Sequence, residues 1–254
     1  MIIPAIEARN VSKMLGIGAG QVRALKNIDL SIAGGKLTVL MGPSGSGKTT
    51  LLSILGCMLA PTDGSVFICG HATQGADPEQ LASIRRQHIG FVFQSFHLFP
   101  TLTAEENVRL ALDVRGEQRR RAKAKSRQVL ERVGLGHKAR AFPRDLSGGE
   151  QQRVAIARAI VAEPSAILAD EPTAALDGAN GQAIMTILAG IARDHGRAVL
   201  VVTHDTRLLE FADRILYIED GALTHEEERP RANVYRLRAE RATLWACFQR
   251  PARR

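Results

Sequence analysis

Two apolar spacings alternate along the chain, and their order predicts its elements. Ile28, Leu30 and Ile32 fall at every second position, the mark of a strand with one buried face. Ala33-Gly34-Gly35 turns the chain into Leu37-Thr38-Val39-Leu40-Met41, almost wholly apolar, as a strand covered on both faces must be. Leu51, Leu52, Ile54 and Leu55 then recur at helical spacing and predict a helix over 48–59. Pro61-Thr62-Asp63-Gly64 reads as a turn, Val66 to Cys69 as a short strand, and Ile89 to Phe93 as another. From Thr101 to about Pro164 the pattern is mostly helical, and Thr103 with Glu106 forms a capping box at one helix start. Strand character returns at Ala166–Ala169 and Ala198–Val202, with a helix between, and Asp220-Gly221 joins two short strands. Buried strands separated by helices predict an α/β fold around a mostly parallel sheet.

The chemistry sits at the ends of those strands. Gly42-Pro43-Ser44-Gly45-Ser46-Gly47-Lys48-Thr49, followed by Thr50, lies between the 37–41 strand and the next helix. A glycine-rich turn there aims several backbone N–H groups at one point, and the helix start adds its partial positive charge. A triphosphate is the natural guest. Lys48 can reach its outer phosphates, and the Thr49 hydroxyl can ligate Mg²⁺. Asp170 and Glu171 follow a second buried strand, at the sheet edge where ligands of open α/β sheets bind. Asp170 suits the metal, and Glu171 suits the role of general base toward an attacking water.

His204 follows the strand ending at Val202 and projects from the same edge, within reach of a γ-phosphate. Gln94 follows Phe93 and offers a neutral amide to metal or water. Leu146-Ser147-Gly148-Gly149-Glu150-Gln151 precedes a helix whose core face carries Val154, Ile156, Ala157 and Ile160. It is a second helix start with flexible donors, hence a second anion site. One phosphate loop and one extra anion site suggest a ligand shared between two chains.

Composition narrows the setting. The chain has 254 residues and a formal net charge of +8, which fits an anionic ligand, a membrane face or nucleic acid without choosing among them. Aromatic residues are only 4%, so aliphatic side chains must fill the core. Cys57, Cys69 and Cys247 match no metal spacing and read as reduced thiols. The start shows no leader pattern, and no apolar run approaches the ~20 residues of a membrane span. The basic stretch Arg115–Arg127 reads as a solvated helix face. Glu226 to Pro230 reads as a charged break before a basic tail, 226–254, expected to be disordered, with membrane contact through Trp245 and Phe248 as the alternative.

Over roughly Ile6 to Leu223 the chain resembles the nucleotide-binding subunit of an ATP-binding cassette (ABC) transporter. The motifs occur in the family's order: Walker A at Gly42–Thr49, the Q-loop at Gln94, the signature at Leu146–Gln151, Walker B at Ile167–Glu171, the D-loop at Ala174–Asp177 and the switch histidine His204. The resemblance implies a P-loop NTPase core with an N-terminal antiparallel β subdomain and a helical insertion at about 101–164, within a domain spanning 5–225. It implies ATP and Mg²⁺ as ligands, with Thr49, Gln94 and Asp170 toward the metal and Lys48, Gln94, Glu171 and His204 as catalytic groups. It also implies a head-to-tail dimer, in which Ser147, Gly148, Gly149 and Glu150 of one copy cover the ATP of the other, with Asp177 at the same interface.

Leu15 stands where the family usually has an aromatic residue against adenine. Val22–Ile28, Ile89–Leu98, Glu105–Val108 and Thr203–Asp205 with Phe211–Arg214 are similar to the lipoprotein-releasing, macrolide-efflux and cell-division type. Such a subunit drives a separate membrane permease, in some cases with a periplasmic adaptor, from the cytoplasmic face of the membrane. Phe96, Leu98, Phe99 and Leu102 offer apolar surface for that partner. An importer ATPase shares much of the pattern. A nucleic-acid ATPase fits the basic charge but would carry two cassettes or a long coiled-coil insert, so no nucleic acid is expected; a small-molecule kinase leaves Leu146–Glu150 unexplained.

Overall fold

The computed structural model describes residues 3–229. In chain order the strands are β1 (Ile6–Leu15), β2 (Val22–Ile32), β3 (Leu37–Met41), β4 (Asp63–Ile68), β5 (His71–Ala72), β6 (Ile89–Val92), β7 (Ala166–Asp170), β8 (Ala198–Thr203), β9 (Arg214–Glu219) and β10 (Ala222–Glu228). The helices are α1 (Lys48–Leu55), α2 (Pro78–His88), α3 (Ala104–Asp113), α4 (Arg119–Arg132), α5 (Gly148–Ile160) and α6 (Gly178–His195). Six strands form one sheet in the order β10-β9-β3-β8-β7-β6, parallel except where β10 returns along β9. β2, β1, β4 and β5 form a separate antiparallel sheet.

The fully apolar strands work because their alternation feeds two cores. Leu37, Val39, Ile167, Ala169, Val199 and Val201 face one way, toward α5, α6 and the helical insertion. Leu40, Leu168, Leu200 and Val202 face the other way, toward α1 and the antiparallel sheet. Each fully buried Leu, Ile or Val contributes about 1.5–3 kcal/mol. Two cores on one sheet hold the carboxyl ends of β3, β7 and β8 in fixed register, with Met41 opposite Thr203 and Asp170 opposite Val202. Buried Asp213 adds an anchor, since it accepts the Leu37 N–H at 2.9 Å and fixes where β3 begins.

The structure revises several expected boundaries. α1 ends at Leu55, not Leu59. The left-handed φ of 55° at Cys57 breaks the helix after its cap Gly56, which must be glycine because a Cβ there would lie 2.0 Å from the Phe91 ring. β4 takes up Asp63 and Gly64 from the expected turn, pairing Asp63 with Ser12. Glu226–Glu228 is no break, so the ordered sheet passes the expected limit at 225. These acids pair with β9 and meet cations, Arg214 against Glu226 at 2.7 Å and Lys36 against Glu228 at 2.8 Å. The tail from Pro230 on, with Trp245, Cys247 and Phe248, lies outside the described residues.

The helical stretch resolves into α3, α4 and α5. Thr103 and Glu106 form the expected capping box on α3. Buried Asn107 pins the preceding loop, accepting the Phe99 N–H at 2.8 Å and donating to the Phe99, Leu102 and Thr103 carbonyls. α4 carries the basic run from Arg119 on as the solvated face expected, with Ala122, Ser126, Val129 and Leu130 buried beneath it, whereas Arg115 lies before the helix and donates to the carbonyls of Arg86, Gln87 and Ala162.

Candidate active site

The phosphate loop is shaped by close approach as much as by flexibility. Gly45 and Gly47 hold φ values of 79° and 100°, a region that side chains with a Cβ avoid. A Cβ on Gly47 would lie 2.6 Å from the Ala24 carbonyl, and one on Gly42 would lie 2.1 Å from the Ile218 carbonyl. The loop is therefore clasped between β2 and the end of β9. The β9–β10 turn adds a hydrogen bond from the Gly221 N–H to the Ser46 carbonyl at 3.1 Å. Lys48 folds back over the loop and donates to the carbonyls of Gly42 at 2.8 Å and Pro43 at 2.6 Å. Gly47 caps α1 without a side-chain hydrogen bond, so no side chain competes for the N–H groups of the first turn.

The acidic pair lies beside this loop. Thr49 Oγ1 is 3.5 Å from Asp170 Oδ1, which brings an oxygen of the first turn of α1 beside one at the end of β7. Burial, and then the neighbouring Glu171 charge, push the Asp170 carboxyl above the usual range. Glu171 sits at a left-handed φ of 45°, a strained conformation for a residue with a Cβ. Its N–H is held by the Val202 carbonyl at 2.9 Å. Its carboxylate is held on both oxygens, at 2.7 Å by His204 Nδ1 and at 3.3 Å by the Thr203 hydroxyl. The sheet thus aims the carboxylate, and the neighbouring strand end fixes its rotation.

Most of these groups line one cleft of about 990 Å³. Pro43, Ser44, Gly45, Gly47, Lys48, Thr49, Thr50, Gln94, Glu171, His204 and Leu15 all border it. Gly42, Ser46 and Asp170 do not. Ser46 is buried under the loop, its hydroxyl without a protein partner. Leu15 pairs across the sheet with Val22, and the two present an exposed aliphatic edge at the mouth. The residue-by-residue reading missed Arg23, Lys26, Asp220 and Gly221, which complete the wall. Their only signal was two cations in β2, a strand earlier than the one feeding the loop, and an Asp-Gly turn far after it. It also missed Thr203, whose position at a strand end beside a histidine was the available cue.

Ser147–Glu150 do not reach that cleft. They begin α5 as a capping box, with the Glu150 N–H donating to Ser147 Oγ at 3.3 Å and the Ser147 N–H donating to Glu150 Oε2 at 2.8 Å. Lys138 holds the other Glu150 oxygen at 2.7 Å, and this pairing, with the Ser147 N–H, draws the carboxyl below its usual range. Ser147 is exposed. α5 is tied to the cleft from behind. Buried Gln152 donates to the Pro172 carbonyl at 2.7 Å, and Arg158 donates to the carbonyls of Phe96 and His97 in the loop after Gln94. Asp177 caps α6 by accepting the Asn180 N–H at 2.9 Å.

A phosphate loop, an acidic strand end and a histidine on a parallel sheet define a P-loop nucleotide-binding protein. The chain belongs to the ABC transporter family, whose model matches residues 25–174. It is 46% identical over 231 residues to the uncharacterized ABC transporter ATP-binding protein MJ0796 of Methanocaldococcus jannaschii, across 88% of this chain and 97% of that one. It is 42% identical to the lipoprotein-releasing system ATP-binding protein LolD of Bordetella pertussis, across 87% and 95%. The macrolide export ATP-binding/permease protein MacB of Salmonella typhimurium is 44% identical over 87% of this chain, but the match spans only 34% of MacB. The dimeric structure of MJ0796 bound to ADP and Pi superposes with a TM-score of 0.81 at 43% identity, across 89% of this chain and 99% of that one. The CbiO1 structure from Clostridium perfringens gives 0.80 at 24% identity, a likeness of fold alone.

Proposed function

We propose that this chain is the ATP-hydrolysing motor of an export or extraction transporter and works as a head-to-tail pair of copies. One observation carries the reading: the cleft holds the phosphate loop, Glu171 and His204 but not Ser147–Glu150, which lie at a different helix start with the Ser147 side exposed. The Gly42–Thr50 loop cradles the triphosphate with backbone N–H groups, and Lys48 exchanges its loop carbonyls for the β- and γ-phosphates. Leu15 and Val22 cover the adenine as an aliphatic edge. Thr49 and Asp170, with the Gln94 amide oxygen, would hold Mg²⁺, which would supply positive charge to the phosphates.

Glu171 accepts a proton from water as the water oxygen bonds to the γ-phosphorus, and the bond to the β-phosphate oxygen breaks. His204 and Thr203 keep the carboxylate aimed during that transfer. Ser147, Gly148, Gly149 and Glu150 of a second copy close the exposed side of the phosphates, and Asp177 lies at the same junction. Positioning and charge supply most of the catalysis in phosphoryl transfer, so assembling the site from two chains gates the rate.

The permease side is supported by a groove of about 470 Å³ between α2, β6 and α3, lined by Met58, Phe91, Phe93, Phe99 and Val114 and edged by Arg85, Arg86 and Arg115. It suits a helix presented by a membrane subunit from the cytoplasmic face. Of the four apolar residues expected there, Phe99 lines the groove, whereas Leu98 packs onto the core, Phe96 lies against Gly148 and Leu102 is not among the lining residues. No helix among the described residues is long and apolar enough to cross a membrane, so the spanning part belongs to a partner in this reading. The names of the LolD and MacB relatives support extraction or export over uptake, and a periplasmic adaptor would accompany such a permease.

The test is hydrolysis against protein concentration, with Glu171→Gln alongside. The rate per chain should rise with concentration, and the variant should lose about 10²–10⁴-fold in rate while ATP-dependent dimers accumulate. Undiminished turnover in the variant, or a rate per chain indifferent to dilution, would overturn the reading.

A further inference from the structure

The two signature glycines are adjacent, yet the fold demands them for different reasons. A Cβ on Gly148 would meet Leu176 Cδ2 at 3.5 Å and the Ala175 carbonyl and Phe96 ring at 3.8 Å, all ordinary contacts. A Cβ on Gly149 would lie 2.7 Å from Asn180 Oδ1 and 2.9 Å from its Cγ. Gly149 is buried and Gly148 only partly so. Within one copy, then, only the second glycine is sterically required, and the residue that requires it is Asn180.

Asn180 is not free to step aside. Its backbone N–H donates to Asp177 Oδ1 at 2.9 Å, and its side-chain Nδ2 donates to Asp177 Oδ2 at 2.8 Å. Both oxygens of the Asp177 carboxylate are engaged by one residue, which fixes the Asn180 rotamer and turns its amide oxygen toward Gly149. Ala175 and Leu176, just before Asp177, pack on Gly148. The start of α5 therefore rests on the segment that leads into α6.

We propose that Asn180 is a positioning residue, a spacer that transmits the location of Asp177 to Gly149 so that the nucleotide cap and the Ala174–Asp177 segment move as one body. The proposal rests on the head-to-tail reading and gives it a mechanism. A hydrogen-bonding cap has to meet the phosphates of the other copy within a few tenths of an ångström. A spacer locked to an aspartate in the same interface sets that height before the copies meet. It also makes any shift of Asp177 on pairing a shift of the cap.

A double-mutant cycle tests this in the Glu171→Gln background, using Gly149→Ala, Asn180→Ala and both together, with Gly148→Ala as a steric control. Three quantities are read: the melting temperature without nucleotide, ATP binding by dilute single copies, and ATP-dependent dimerisation by ultracentrifugation. Gly149→Ala should lower the melting temperature by on the order of 5 °C through overpacking and weaken dimerisation at least roughly tenfold. Asn180→Ala leaves only its own Cβ near an alanine at 149, 3.3 Å away, which a small shift relieves. The double variant should therefore recover to the level of Asn180→Ala alone in both readouts, which shows the coupling directly. ATP binding by single copies should stay unchanged throughout, because the phosphate loop is untouched, and Gly148→Ala should leave the melting temperature in place.

Losses that simply add in the double variant would overturn the proposal. So would a Gly149→Ala protein that melts normally but no longer pairs, because the glycine would then serve the nucleotide alone. If the Glu171→Gln parent forms no ATP-dependent dimer, the pairing reading falls, and the melting-temperature cycle still decides whether Asn180 sets Gly149.

Discussion

The chain starts two helices, α1 and α5, behind glycine-rich turns, and the two starts are built in opposite ways. At α1, glycines in left-handed conformations curl the backbone, no side chain caps the helix, and Lys48 is buried over the loop. At α5, Ser147 enters at an ordinary φ of −63°, the two glycines are already helical, and a capping box occupies the Glu150 N–H. The first start keeps its N–H groups for an anion, so it is a site in its own right. The second already uses its Glu150 N–H in the capping box and presents an exposed Ser147 hydroxyl on a rigid base, so in the proposed reading it serves a ligand held by another copy. Glycine content alone does not separate the two cases. What separates them is whether the turn bends into the left-handed region and whether a side chain already caps the helix.

The sharpest break of this comparison is steric. Gly47→Ala combines a left-handed φ with a backbone clash and should destabilise the protein by about 3–5 kcal/mol, whereas Gly148→Ala should stay within about 1 kcal/mol of either sign. Denaturant melts of the two variants read this directly, and equal losses would erase the distinction.

Next in size is binding. Lys48→Ala should weaken ATP binding by single copies on the order of 10–100-fold, the worth of hydrogen bonds to a charged group. Ser147→Ala should leave that binding alone and weaken only ATP-dependent pairing, by roughly tenfold. Calorimetry on dilute protein checks the first, and sedimentation of the Glu171→Gln form checks the second. A Ser147→Ala protein with impaired single-copy binding would mean that the two starts act on one nucleotide within one chain.

A smaller effect concerns the base. Leu15→Trp gives adenine an aromatic face in place of the Leu15–Val22 edge and should tighten ATP binding about two- to tenfold.

The smallest effect follows acidity and touches only one of the two starts. The Glu150 carboxyl is lowered by Lys138 and by the Ser147 N–H, and Glu106 is lowered by Thr103. A carboxyl lowered in the folded state contributes stability that is complete above its unfolded pKa, about 4.3, and lost as pH falls through the lower folded value. The melting temperature should therefore decline on the acid side of about pH 4, and Glu150→Gln should make that decline shallower. Hydrogen exchange at low pH should open the start of α5 before the start of α1, whose Gly47 cap holds no carboxylate.

Much of the site was legible because its chemistry is local. Gly42–Thr50 needs only a strand before it and a helix after it, and both periodicities are written within a few residues of the loop. Asp170, Glu171, Gln94 and His204 could be assigned to one edge because each directly follows an apolar run. Less legible were contacts made at long range with ordinary residues. Gly42 and Gly47 must be glycine partly because Ile218 and Ala24 press on them, and nothing near the loop reveals those neighbours. The end of α1 was misjudged because the apolar run continues past Gly56 while the left-handed φ of Cys57 breaks the helix there. Glu226–Glu228 looked like a break because their cations, Arg214 in β9 and Lys36 just before β3, lie elsewhere in the sequence.

The sequence alone determined the alternation of buried strands and helices around the loop, the anion-gripping loop, the acidic strand end and the presence of a second glycine-led helix start, but not β1, β5 or α2. Each depends on spacing within one short segment, where backbone geometry and side-chain type suffice. Only the tertiary structure decided which of those parts share a cleft, that the second start lies outside it, and that Asn180 stands between Gly149 and Asp177. Those relations arise from how two cores set the strands and helices against one another, and such packing brings together residues far apart along the chain without marking them in advance.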